Sequence, residues 1–124
     1  MKTTTNKVEL TGYAGMNAEM FIFENGKIVM KFKLATHENF QRSTGEWIKQ
    51  TYWHNIIMWA KDSMHVLPMV KKGSKVHVEG KLIPRTYVDK EYNTRYVYEV
   101  QASKIVLLVE EEEPVDATEE LIAE

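Results

Sequence analysis

Apolar and polar residues alternate with a period of two along most of this chain, and clusters of Gly, Asn and Pro interrupt the alternation. Residues 7–13 set Val8, Leu10 and Gly12 against Glu9, Thr11 and Tyr13, which predicts a first strand. Gly12 and Gly15 bracket Tyr13-Ala14 and mark a bend or a close backbone approach. Phe21-Ile22-Phe23 is a short apolar run, followed by the turn signal Glu24-Asn25-Gly26-Lys27. Over residues 28–37 the core face takes Ile28, Met30, Phe32 and Leu34, while Lys31 and Lys33 point outward with Val29 and Ala35. Residues 40–46, with Ser43-Thr44-Gly45, read as a polar loop that carries Phe40 and Arg42.

The stretch from 47 to 59 holds all three tryptophans, Trp47, Trp53 and Trp59. From Thr51 onward it is aromatic and β-branched without Gly or Pro, which is strand composition. Trp53, Asn55, Ile57 and Trp59 share one face of that strand, and Tyr52, His54, Ile56 and Met58 share the other. Both faces are mostly apolar, so one lines a core and the other meets a ligand or partner, or else the rings simply fill a β core. Two tryptophans about 20 Å apart on one face suit a surface on which flat groups stack.

Residues 62–72 are the one stretch that predicts a helix, with Asp62 or Ser63 as cap, Lys71 and Lys72 at its end and Gly73 as stop. Pro68 in its middle shortens or breaks it. Residues 74–82 predict a further strand, 84–88 and 95–103 the two arms of a hairpin, and 105–109 a last strand. Five or six strands with one short helix before the fourth is the element order of an OB-fold β barrel.

Composition sharpens this in one respect. The chain has 44% hydrophobic and 27% charged residues, no cysteine and a net charge of −2. That net value hides two regions. Residues 1–109 carry 16 Lys and Arg against 10 Asp and Glu, whereas 110–124 carry 8 Asp and Glu and no basic residue. The division predicts a domain over 1–109 with a polyanionic partner, followed by a short, flexible acidic tail for self-masking, protein docking or solubility. The N-terminus lacks the apolar stretch of a signal peptide and no run approaches a membrane span, so the expected address is the cytoplasm.

Catalytic and metal chemistry is not indicated. His37, His54, His65 and His77 form no metal-ligand spacing, and no P-loop, GxSxG or dinucleotide fingerprint occurs. His77 and Glu79 share a strand face, but two groups do not make a metal site. Neither an enzymatic activity nor a cofactor is expected.

Four blocks together resemble the bacterial-type single-stranded DNA-binding proteins. They are Asn6-Lys7-Val8-x-Leu10-x-Gly12, Phe32-x-Leu34-Ala35-Thr36, Thr51-x-Trp53-His54 and Lys72-Gly73-Ser74-x-Val76-x-Val78-Glu79-Gly80-x-Leu82. In order and spacing they extend over residues 6–109, and the last is the most specific. The resemblance implies an OB-fold whose protomers form a homotetramer, a dimer being the alternative, and which binds single-stranded DNA in replication, recombination or repair, at the nucleoid. It places base-stacking aromatics on Phe40, Trp53, Trp59 and Tyr87. Phe40 and Tyr87 stand where tryptophan is common and Trp59 where phenylalanine is common, so each keeps a π face.

For phosphate contacts the resemblance points to Lys7, Lys61, Lys72 and Arg85, and expected exposure adds Lys31, Lys33, Arg42, Lys49 and Arg95. His54 matches a histidine that the family places at a subunit contact, the other reading being a satisfied buried histidine. Asn55 departs from a usually basic position, and Ile83-Pro84 replaces a more polar pair. The tail ends Leu121-Ile122-Ala123-Glu124 in place of the family's terminal Pro-Phe. Docking of replication and repair proteins would then rest on acidity alone. Two competing functions remain at this level: a primosome-type OB-fold adaptor with secondary DNA affinity, and an enzyme or oligosaccharide binder on the same fold.

Overall fold

The computed structural model describes residues 3–60 and 67–109. Six strands form among them: β1 (Val8–Ala14), β2 (Glu19–Ile22), β3 (Ile28–Gln41), β4 (Trp47–Ala60), β5 (Lys75–Val88) and β6 (Thr94–Leu108). They hydrogen-bond in the order β1-β5-β6-β4-β3-β2, and β1 also pairs with β3 at Tyr13↔Ala35 and Ala14↔Leu34. That second pairing closes β1, β5, β6, β4 and β3 into the five-stranded barrel of an OB-fold and leaves β2 as an edge strand on β3. Gly12 permits the closure, because a Cβ there would lie 2.0 Å from the carbonyl oxygen of Ala35. β4 and β6 run parallel from Asn55↔Glu99 to Ile57↔Gln101, and the other pairs are antiparallel.

The barrel interior follows the alternation read from the sequence. Met30, Phe32 and Leu34 of β3 meet Ile56 and Met58 of β4, Val76 and Val78 of β5, and Val100 and Ala102 of β6. Full burial of each large member stabilises the fold by about 1.5–3 kcal/mol. Val29 and Ala35, expected outside, are buried as well. Their register neighbours account for this: Val29 lies between Phe21 and Trp59, and Ala35 beside Trp53.

Three expectations change. β3 and β4 pair without interruption from Ile28↔Ala60 to Gln41↔Trp47, so Phe40 belongs to a strand and only 42–46 forms the turn. The polar composition of 40–46 suggested a loop, but cross-strand pairing carries the ladder through Phe40 and Gln41. β5 and β6 are likewise continuous where the sequence suggested breaks at 83 and 104. Pro84 fits there because β1 stops pairing with β5 at Gly80, so no ladder bond is lost on that side.

The third change concerns the second half of the expected helix. Residues 61–66 lie outside the described part, and 67–72 are not helical. Leu67 and Val70 instead turn their side chains onto the core, and the Val70 carbonyl accepts the Ala18 N–H at 2.9 Å. Lys72 N–H donates to Asn17 Oδ1 at 2.8 Å, tying the same segment to the β1–β2 connection. Pro68 cannot supply the N–H that a helix interior requires, and the segment fills the barrel as an irregular plug. The acidic tail over 110–124 also lies outside the described residues.

Candidate nucleic-acid interface

Because the β3–β4 ladder has no register break, strand parity assigns every side chain along it to one of two faces. Trp53 and Trp59 share the outer face of β4 with Asn55 and Ile57. Across the ladder that face continues through Lys31 and Lys33 of β3, opposite Ile57 and Asn55. On the other side it passes to Glu99 and Gln101 of β6, and from there to Ile83 and Lys81 of β5. Arg85 and Tyr87 follow in the same parity, opposite Val97 and Arg95. A cavity of about 250 Å³ lies in the middle of this surface, with Lys31, Lys33, Asn55, Arg85 and Glu99 among its walls.

Three of the four expected stacking residues are brought to this face. Trp53 is 59% exposed, and its indole lies against Gly15, where a Cβ would come within 2.4 Å of the ring. The glycine of β1's exit thus makes room for the indole. Trp59 is exposed and stacked on Phe23, with centroids 5.7 Å apart and planes at 26°. Tyr87 stands on β5 near the Asp89–Asn93 turn, opposite Arg95. Phe40 is exposed too, but its even parity sets it on the opposite face of the β3–β4 hairpin from Trp53.

The expected cations divide more sharply. Lys31, Lys33 and Lys49 lie on the face; Lys31 Nζ sits 5.8 Å from the Phe21 ring centroid, and Lys33 borders the same hollow as Trp53. Arg85 Nη2 donates to Glu99 Oε2 at 2.9 Å, and that carboxylate is buried. The pairing raises the Arg85 pKa further above its ordinary value. Arg95 Nε donates to Asp89 Oδ2 at 2.8 Å, and Arg95 together with the Asn93 and Glu91 amides holds Asp89 below the usual carboxylate range. Arg42 faces Glu46 at 3.9 Å at the tip of the β3–β4 hairpin, with both side chains more than half exposed. Two of the three arginines are therefore committed to carboxylates that a linear reading does not reveal. Lys7 precedes β1 and acts on Glu79, and Lys72 lies in the turn before β5, so the register does not bring either to the aromatic face. Lys61 lies outside the described residues.

Among the exposed rings outside the expected set, Phe21, Phe23 and Trp47 lie with the aromatic face. Phe21 pairs with Val29 in register and shares the face of Trp59, and Phe23 is the ring on which Trp59 stacks. The signal for Phe21 and Phe23 was an aromatic pair with one residue between them beside an Asn-Gly turn.

His54 lies on the opposite side of β4 from Trp53, as expected, and its Nε2 is 2.8 Å from Thr36 Oγ1. Partial burial lowers its pKa. Within the chain it is a satisfied histidine. On β1 and β5, Glu9 is the register partner of Glu79, and Thr11 of His77. His77 Nδ1 is 2.7 Å from Thr11 Oγ1, while Nε2 is 3.1 Å from Glu79 and 3.5 Å from Glu9. The His77 hydrogen bond, aided by Lys104 and Lys7, lowers the Glu79 pKa. The sequence showed only two members of this cluster, because Glu9 reaches it from a strand about 70 residues away in the chain.

The comparisons with known proteins point the same way. The model of the Single-strand binding protein family matches residues 5–108. A single-stranded DNA-binding protein of Neisseria meningitidis serogroup A is 34% identical over 103 residues, which cover 83% of this chain and 59% of that protein. Single-stranded DNA-binding protein 1 of Chlorobaculum tepidum is 35% identical over 104 residues, covering 83% and 64%. The chain thus aligns with about three-fifths of the length of these relatives. Among solved structures, the Plasmodium falciparum SSB in complex with ssDNA superposes with a TM-score of 0.74 at 24% identity, covering 88% of this chain and 99% of that one. A deletion mutant of the single-stranded DNA-binding protein from Thermus aquaticus gives 0.70 at 20% identity, covering 86% and 52%. At those identities the two structures speak for the barrel alone. The match over residues 5–108, together with relatives above 30% identity, shows that this chain belongs to the single-strand binding protein family.

Proposed function

We propose that this protein binds single-stranded DNA with little sequence preference and without catalysis, coating exposed strands during replication, recombination or repair. The observation that carries the reading is one continuous face on which exposed Trp53, Trp59 and Tyr87 alternate with Lys31, Lys33 and Lys49. Bases stack on the rings, each contributing about 1–3 kcal/mol irrespective of sequence, and the lysines meet phosphate. Phe40, on the far side of the hairpin, takes part where the strand passes over its tip. The relatives' names support the ligand, since both are single-stranded DNA-binding proteins.

Self-assembly belongs to the same reading. β1 pairs with β3 only at Tyr13 and Ala14, so Val8–Thr11 keeps an open edge on that side, and an open edge is a ready template for a second copy. A homotetramer is proposed, with His54 at a contact between copies and the acidic tail available to replication and repair proteins. The working site is where single strands arise, at the nucleoid in the cytoplasm. Among the described residues no helix is long and apolar enough to cross a membrane.

Titration of intrinsic tryptophan fluorescence with oligo-dT, on protein sized by light scattering, tests the function directly. Strong quenching that weakens with salt supports it. An unquenched signal at saturating oligonucleotide overturns it and favours the adaptor.

A further inference from the structure

We infer that Trp47 is a further base-stacking platform, which carries the DNA track off the barrel and out along the β3–β4 hairpin. The inference rests on the function proposed above and specifies how far the strand is followed. Parity runs unbroken from Ala35↔Trp53 through His37↔Thr51 and Asn39↔Lys49 to Gln41↔Trp47. Trp47 therefore stands on the face of Trp53 and Trp59, with successive tryptophans six positions apart and about 20 Å from each to the next. The right-handed twist of a two-stranded ribbon turns this face gradually, so a strand that follows it winds around the hairpin.

Trp47 is 66% exposed, and among the described residues no ring stacks on it. Packing does not account for an indole there. The ground between it and Trp53 is suited to a polyanion: Lys49 is exposed, and Thr51 Oγ1 is 3.1 Å from His37 Nδ1. At the tip, Arg42 shares only a 3.9 Å exposed contact with Glu46, weak enough for a phosphate to replace it. Phe40, the residue to which the family resemblance assigns stacking on this hairpin, faces the other way. Continuity with the barrel face and the basic residues select single-stranded DNA as the occupant over an apolar protein surface.

The test makes Trp47 the only fluorophore of its kind, with Trp53→Phe and Trp59→Phe retaining π faces at the other two positions. Oligo-dT of about 16 nucleotides should quench Trp47, whereas about 5 nucleotides, within the range held by one OB-fold, should quench it much less. In the unaltered background, Trp47→Ala should weaken binding of the longer oligonucleotide roughly tenfold and leave the shorter nearly unchanged, and Trp47→Phe should restore most of the loss. If Trp47 emission stays constant while the longer oligonucleotide saturates, or Trp47→Ala binds both lengths normally, the inference fails while the DNA-binding reading stands. If the unaltered protein binds neither length, it is the proposed function that falls.

Discussion

The Arg85 guanidinium reaches a buried carboxylate, Glu99, at 2.9 Å, in the middle of a face otherwise furnished with rings and lysines. Glu99 is held between β4 and β5, opposite Ile83 and in register with Asn55. Removing Arg85 leaves a negative charge with little access to water. Because Arg85 itself is half exposed, water compensates part of that loss. Arg85→Ala should lower the unfolding free energy by about 1–3 kcal/mol, and Arg85→Ala with Glu99→Gln should recover most of it. Urea denaturation of the three proteins measures this. An Arg85→Ala midpoint equal to the parent's would show that the pair does not contribute to stability.

Trp53 and Gly15 form a second coupled pair. A Cβ at Gly15 would lie 2.4 Å from the indole, so Gly15→Val should push the ring from its resting place while the strands remain paired. Binding of oligo-dT should weaken by up to about 1–3 kcal/mol, the loss expected for Trp53→Ala. Far-UV circular dichroism should be unchanged and the tryptophan emission maximum shifted. Native affinity in Gly15→Val would mean that the orientation of Trp53 is immaterial.

Salt dependence separates the free cations from the committed ones. For single strands, log K falls with log salt at about −0.7 per phosphate neutralised. Lys33→Ala should make the slope shallower by about one such step. Arg95→Ala, whose guanidinium is engaged by Asp89, should change the slope less and loosen the β5–β6 turn more. Equal slope changes in the two variants would show that Arg95 leaves Asp89 when DNA binds.

Two groups shape the acid limb of stability. Partial burial lowers the His54 pKa from 6.5, so the unfolded chain takes up that proton first. The contribution of His54 is complete above 6.5 and is lost as pH falls through the lower folded value. Glu79 adds a second component, present above its unfolded value of 4.5 and lost as pH falls through its depressed folded value, chiefly because of the His77 hydrogen bond. His54→Gln should flatten the first segment of a stability-against-pH curve, and His77→Gln the second. A curve unaltered by either substitution would remove these histidines as its cause.

What the sequence disclosed depended on how far local alternation reaches. Trp53 and Trp59 could be set on one face because residues 51–59 have unbroken strand composition, but with both faces mostly apolar only the ladder shows that this face is exposed. Trp47 and Phe40 could not be placed, since their faces depend on how far the ladder extends beyond that window, and the polar stretch 40–46 conceals its length. Arg85 and Glu99 are 14 residues apart and meet only because β5 and β6 form one long hairpin through Pro84. The capping residues and Gly73 suggested a helix over 62–72, but in the fold Leu67 and Val70 pack on the core from a segment that is not helical. Strand pairing and tertiary packing decided these cases, and no local pattern records them.

The closure of β1 onto β5 governs how the chain reaches its native state. The β3–β4 and β5–β6 hairpins join neighbours in sequence and can form early, whereas Val8 must find Gly80 before the barrel exists. Such distant contacts slow folding, because loop entropy is lost before the contacts return anything. On the ribosome the first strand emerges long before its partner. Until β5 follows, the apolar side chains of β1, β3 and β4 have nothing to close over them, and that interval is when a nascent chain is most exposed to misassembly with its neighbours.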